Sequence, residues 1–333
     1  MKKTFTTLLA GAFTAVASFA FAEDFKPAVI YDMGGKFDKS FNEGVYNGIK
    51  KFSEETGVEV MEFEVTNEAQ RQQAMEKMVQ RGATIVLGVG FAQADAISAV
   101  AAANPDVNFS IIDVSWLDHP NLRQYGFKEQ EGSYLVGMAA AMASKTGKVG
   151  FVGGMDIPLI RAFGCGYEQG VKAVNADAEV LQNMTGTTPA AWNDPTKGAE
   201  LTQAQIDRGA DVVYAAAGAT GVGVLQAATD AGKLSIGVDS NQNHIHPGSV
   251  LTSMLKRVDV AAYDTMKDAM SGNFDTGVRI LGVKEGGVGW ALDEHNASLI
   301  TDEMKAAIDA ASAKISSGEI VVHDYRSDNT CKM

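Results

Sequence analysis

The chain has 333 residues, 46% of them hydrophobic and 21% charged, with 35 Gly and only 7 Pro, a globular composition that excludes a disordered or collagen-like protein. Its length predicts about two domains, each large enough to bury a core of its own. A formal net charge of −13 argues against a nucleic-acid partner, because phosphate neutralisation needs a basic face.

The first 22 residues read apart from the fold. Lys2 and Lys3 make a basic start, residues 4–19 are apolar and small, and Ala20-Phe21-Ala22 has the small-x-small form of a signal-peptidase site. This predicts a cleavable export signal ending before Glu23. A membrane anchor is the competing reading, but Thr6, Thr7, Gly11, Thr14 and Ser18 interrupt a stretch already short of about 20 strongly apolar residues. No Cys lies beside the predicted cleavage point, so the expectation is a freely soluble periplasmic protein and not a lipoprotein. Cys165 and Cys331 remain. In an oxidising compartment such a pair is more often bonded than free, and the sequence leaves both states open.

Short β-branched runs then alternate with amphipathic stretches. Strands are predicted over 27–31, 58–65, 84–89, 108–114 and 124–127, with helices over 40–56, 67–81, 92–103 and 130–144. The alternation restarts near Lys148, with strands over 148–152, 180–184, 211–216, 234–238 and 250–254 and helices over 160–175, 195–208 and 221–231. A helix over 258–270, a strand over 278–284, a glycine-rich stretch at 286–289 and a helix over 301–316 follow. Strict βα alternation implies parallel sheets covered on both faces, an α/β fold of two doubly wound, Rossmann-like lobes. Elements added after the second sheet is complete imply that the chain crosses back. The lobes expected are 23–127 with about 256–284, and 128–255 with about 285–333, a ligand cleft and hinge lying between them.

In open α/β sheets ligands bind beyond the carboxyl ends of the strands. The first strand runs into Asp32-Met33-Gly34-Gly35-Lys36-Phe37-Asp38-Lys39-Ser40-Phe41-Asn42. Asp32 would face the crevice, Ser40 suits a helix N-cap, alone or together with Asp38, and Phe41 offers either a ring for stacking or a core side chain. Asp113 ends the fourth strand, and Asp239 ends a strand of the other lobe, where Lys256 could balance it. A carboxylate accepts two hydrogen bonds and so suits vicinal ribose hydroxyls. Gly218 sits in a small-residue turn that admits close backbone contact but is neither GxGxxG nor a Walker loop. Trp192, just before a helix, offers a second aromatic face or packs on its own lobe. His244 and His246 have no further ligand at metal spacing, so no metal and no cofactor is expected. There is no GxSxG, HExxH or CxxC, which favours binding over turnover.

Asp32-x-Gly-Gly-x-x-Asp-x-Ser-Phe-Asn42, the block Gly150 to Met155 with Phe163, Gly166 and Tyr167 after it, the Ala216-Ala217-Gly218 turn and Gly237-Val238-Asp239 occur in order. Together they resemble the basic membrane protein (BMP, Med, PnrA-like) family of ABC-transporter substrate-binding proteins. The resemblance implies a type I (class B) periplasmic-binding-protein fold that takes up a purine nucleoside and delivers it to an inner-membrane ABC permease. By position it implies base-contacting carboxylates at Asp32 and Asp113, a purine-stacking ring at Phe41, a ribose-side pair at Asp239 and Lys256, and a backbone contact at Gly218. Trp192 is the candidate second ring. Phe37 stands where the family usually has a small polar or acidic residue and is expected to reshape the base pocket. A monomer is expected. Competing readings are a hydrolase-like nucleoside enzyme, which would want clustered Asp residues where Met33-Gly34-Gly35 stands, and a sugar-binding or sensory binding protein. A LacI-type regulator would need a helix-turn-helix in place of the leader.

Overall fold

The computed structural model describes residues 25–333. The expected leader over 1–22 and its cleavage point before Glu23 lie outside the described residues.

The first series of elements is β1 (Pro27–Tyr31), α1 (Phe41–Thr56), β2 (Met61–Glu64), α2 (Gln70–Gln80), β3 (Ile85–Gly88), α3 (Ala94–Ala103), β4 (Asn108–Ile112) and β5 (Leu122–Phe127). The second is α4 (Glu129–Ala143), β6 (Lys148–Met155), α5 (Pro158–Val174), β7 (Glu179–Gly186), α6 (Pro195–Asp207), β8 (Val212–Ala216), α7 (Thr220–Asp230), β9 (Leu234–Asp239) and β10 (Val250–Lys256). The chain continues through α8 (Val258–Ser271), β11 (Gly277–Leu281), β12 (Val288–Trp290) and α9 (Asp302–Ser317).

Two six-stranded sheets result, in the orders β11-β5-β4-β3-β1-β2 and β12-β10-β9-β8-β6-β7. All pairings are parallel except β10 with β12. Each sheet carries the 2-1-3-4-5 doubly wound order, so each has a switch point: beside β1 and β3 in one, beside β6 and β8 in the other. The strands beside those points are covered on both faces, as parallel strands between helical layers must be; every residue of β1, β3 and β8 is buried, and all of β6 but its two ends.

The chain passes between sheets three times: at Phe127–Glu129, at Lys256–Val258 and between β11 and β12. After the second passage α8 packs on α1 of the first lobe. After the third, α9 packs on α4 of the second. Glycines let α4 and α5 meet backbone to backbone, since a Cβ at Gly170 would lie 2.0 Å from the Tyr134 carbonyl oxygen and one at Gly137 2.2 Å from that of Tyr167.

The second strand, expected over 58–65, is shorter: only Met61–Glu64 pairs, as an edge with one face to solvent. The glycine-rich stretch at 286–289 runs into β12, a short antiparallel edge held by three pairs to β10. Cys165 on α5 and Cys331 in the C-terminal tail are joined in a disulfide.

Candidate functional site

The carboxyl ends of both sheets face one cleft between the lobes. Asp32, Phe41, Asp113, Trp192, Gly218, Asp239 and Lys256 all line it. Phe37 does not. Its side chain is 59% exposed, with its ring edge-on to Tyr46 at 5.1 Å and the Lys36 ammonium 5.1 Å from its centre. The expectation that Phe37 shapes the base pocket is corrected: the turn after Gly34-Gly35 carries the ring outward, onto the flank of α1.

On the first lobe, Asp32 directly follows β1. Its backbone N–H donates to Asn42 Oδ1 at 3.2 Å, and Arg71 on α2 reaches its Oδ1 at 3.3 Å. Burial raises the Asp32 carboxyl above its ordinary value, while the Met33 amide and Arg71 oppose that rise. Asp38 caps α1 by accepting the amides of Ser40 (2.8 Å), Asn42 (3.0 Å) and Glu43 (3.0 Å). Ser40, expected as the cap through its own hydroxyl, makes no such bond. With Asp38 capping, the Ser40 hydroxyl is free to donate to Asp239 Oδ2 on the other lobe at 2.6 Å. Ser240 Oγ donates in return to the Ser40 carbonyl at 2.8 Å, and Gln242 Nε2 to that of Lys39 at 2.9 Å. These bonds hold the two lobes together across the cleft.

Asp113 and Asp239 have φ of +69° and +63°. A non-glycine residue in that left-handed region costs on the order of 1–3 kcal/mol and is characteristic of functional sites. Here it turns each strand-end carboxylate into the cleft. Burial raises both, Asp239 to about 6, with Lys256 pulling each back down.

Lys256, the last residue of β10, is 2% exposed. Its ammonium lies 2.7 Å from Asp113 Oδ1 and 3.1 Å from Glu129 Oε1. The centres of the Phe41, Phe127 and Phe163 rings stand 5.2, 5.1 and 5.6 Å from it, a cation–π surround. Its nearest carboxylates hold it charged against strong desolvation. The sequence paired Lys256 with Asp239. The structure pairs it with Asp113 and Glu129, β10 packing on α4, which Glu129 opens, and gives Asp239 to Ser40.

Aromatic faces come from both lobes: Phe41 and Phe91 from the first, Phe163 and Trp192 from the second. Trp192 closes a 3-10 turn, Pro189–Trp192, and lies against Gly154 of β6, where a Cβ would come within 2.2 Å of the indole. The ideal Cβ position of Gly218 is 3.4 Å from the Trp192 carbonyl oxygen, and that of Gly34, across the cleft, 3.9 Å from the Trp192 Cβ.

Sequence reasoning missed Glu129 and Arg326. Glu129 opens α4 directly after β5, so the strand-end rule that singled out Asp113 would have found it. Arg326, in the C-terminal tail, carries no local signal. Among the described residues no group of three or more His, Cys, Asp or Glu could hold a metal ion, and no helix is long and apolar enough to cross a membrane.

Residues 25–325 match the family model Bmp, the PnrA-like ABC transporter substrate-binding proteins. The chain belongs to this family. Basic membrane protein A2 of Borrelia garinii subsp. bavariensis is 33% identical over 304 residues, covering 89% of this chain and 88% of that protein. The ABC transporter nucleoside-binding protein BmpA of Lactococcus lactis subsp. cremoris is 33% identical over 321 residues, covering 90% and 89%. A solved structure, the ABC transporter system solute-binding protein of Aeropyrum pernix K1, superposes with a TM-score of 0.82 at 30% identity, covering 90% of this chain and 94% of that one. The fold is thus that of type I periplasmic binding proteins. The cleft between its lobes offers flat apolar faces and buried carboxylate acceptors.

Proposed function

We propose that this protein captures a purine nucleoside in the periplasm and delivers it to an inner-membrane ABC permease. The observation that carries the reading is one cleft in which aromatic faces stand beside buried strand-end carboxylates contributed by both lobes. A purine offers two faces for stacking, each worth roughly 1–3 kcal/mol. Its N1–H or exocyclic amine and the ribose hydroxyls offer the donors that Asp32, Asp113 and Asp239 need. Phe41 and Trp192 stack the base, Asp32 and Asp113 hold its edge, Asp239 takes the ribose with Lys256 nearby, and Gly218 lets its backbone approach. The name of the Lactococcus relative supports a nucleoside. A ligand that touches both lobes favours the state in which they meet, so capture and closure are one equilibrium. The closed shape is what a permease recognises, and the protein acts as a monomeric carrier, exported by a cleaved leader, with no catalytic step.

Isothermal titration of refolded mature protein against guanosine, adenosine, inosine, the free bases and ribose tests this. Nucleosides are expected to bind and ribose not; binding of sugars alone overturns the base site. Asp239→Ala should weaken nucleosides far more than free bases, and equal losses would remove its ribose role. Phe41→Ala should weaken nucleosides by about 5- to 150-fold.

A further inference from the structure

Four charges run in alternation from the cleft to the C-terminal tail. Asp113 meets Lys256 at 2.7 Å, Lys256 meets Glu129 at 3.1 Å, and Glu129 Oε2 meets Arg326 Nη1 at 2.8 Å. Glu129 is fully buried, and its two oxygens have no hydrogen-bond partner beyond these two cations. Each cation therefore limits where the other can draw the carboxylate. Arg326 is itself bracketed: its Nη2 donates to the Phe127 carbonyl at 3.0 Å and to Gln130 Oε1 at 3.3 Å, and its Nε to Asp324 Oδ1 at 2.9 Å. The planar guanidinium thus spans the first passage between lobes, from the last residue of β5 to the first turn of α4, as a lysine could not.

The tail that carries Arg326 is tied to α5. Gln169 Nε2 donates to the His323 carbonyl at 3.0 Å, the His323 amide donates back to Gln169 Oε1 at 2.8 Å, and five residues beyond Arg326 comes the disulfide to Cys165.

We propose that Arg326, pinned by the Cys165–Cys331 disulfide, is a positioning residue for ligand capture: it shares the Glu129 carboxylate with Lys256, so that Lys256 is not drawn wholly to Glu129, stays on Asp113 and sets that carboxylate in the cleft. Without Arg326, the buried Glu129 carboxylate has one cation left and draws Lys256 toward itself, because a buried charge that loses a partner must find compensation. The claim depends on the nucleoside reading only for its binding probe.

The test uses the full mature chain with Arg326→Gln, Arg326→Lys and Cys331→Ser, followed without ligand by hydrogen exchange and with guanosine, adenosine and inosine by titration calorimetry. In Arg326→Gln, exchange should quicken at 127–131 and at 253–258, and nucleoside affinity should fall at least about tenfold. Arg326→Lys should recover part of both, and Cys331→Ser should show the same pattern at smaller amplitude. Faster exchange confined to 319–333, or unchanged affinity in Arg326→Gln, overturns the proposal. If Arg326→Gln does not fold, the other two variants are held to the same two criteria. If the unsubstituted protein binds none of the three nucleosides, the functional reading fails, and exchange alone then decides: change reaching Lys256 sustains the positioning role, change confined to the tail ends it.

Discussion

Asp239 shows how a cleft carboxylate can oppose the fold that holds it. Its carboxyl rises from 3.8 to about 6 because burial strips water from the charged form faster than Lys256 and Ser40 replace it. A raised carboxyl means that the folded protein keeps a proton the unfolded chain has released. Stability from this group is therefore present below about pH 4 and lost as pH rises through about 6, leaving a cost at neutral pH on the order of 1–3 kcal/mol. Asp239→Asn should melt higher than the unsubstituted protein at pH 7, with the gap closing toward pH 4, while nucleoside affinity falls. A variant that melts lower at pH 7 would show that Asp239 is stabilising there. The residue types were legible in the sequence, since three Asp residues close three predicted strands. Their partners were not: Asp38 could be read as a cap, but nothing local sends the Ser40 hydroxyl to Asp239 or the Lys256 ammonium to Glu129.

At the scale of elements, the site depends on how closely backbones approach. Trp192 can lie along β6 only because residue 154 has no side chain. Gly154→Ala should push the indole off the strand, shift tryptophan emission to the red, weaken nucleosides and destabilise by roughly 1–3 kcal/mol. Unchanged emission and affinity would place the Trp192 ring elsewhere. Strands and helices long enough to show their period were readable, which is why the ends of β1, β4 and β9 could be located from hydrophobic patterning alone. The short edges were not. β2 is trimmed because its first residues find no partner on β1, and β12 exists only because β10 offers it an antiparallel edge.

At the scale of the molecule, the disulfide links residues 166 apart in sequence and adds a covalent tie to the C-terminal tail. Closing so long a loop constrains the unfolded chain, and losing such a bond typically costs about 2–5 kcal/mol. Reductant should lower the melting temperature by several degrees, with mass spectrometry counting two new thiols. An unchanged melting temperature in fully reduced protein would show that the bond contributes no stability. The same tail reaches the first interlobe passage through Arg326, so its attachment bears on binding as well as on stability.

The α/β class, the two lobes, the family and most of the cleft are written in the chain itself. Each follows from short-range patterns: βα alternation, small residues at turns, a carboxylate at a strand end. Folding in three dimensions settled the rest: which charges pair, that Ser40 bridges the lobes, that Phe37 faces solvent and that Arg326 of the tail reaches Glu129. Those outcomes depend on contacts between residues such as Ser40 and Asp239 or Glu129 and Arg326, nearly two hundred positions apart. Ion pairing and burial act through space, and periodicity along a chain carries no record of which distant side chain will stand within hydrogen-bonding reach.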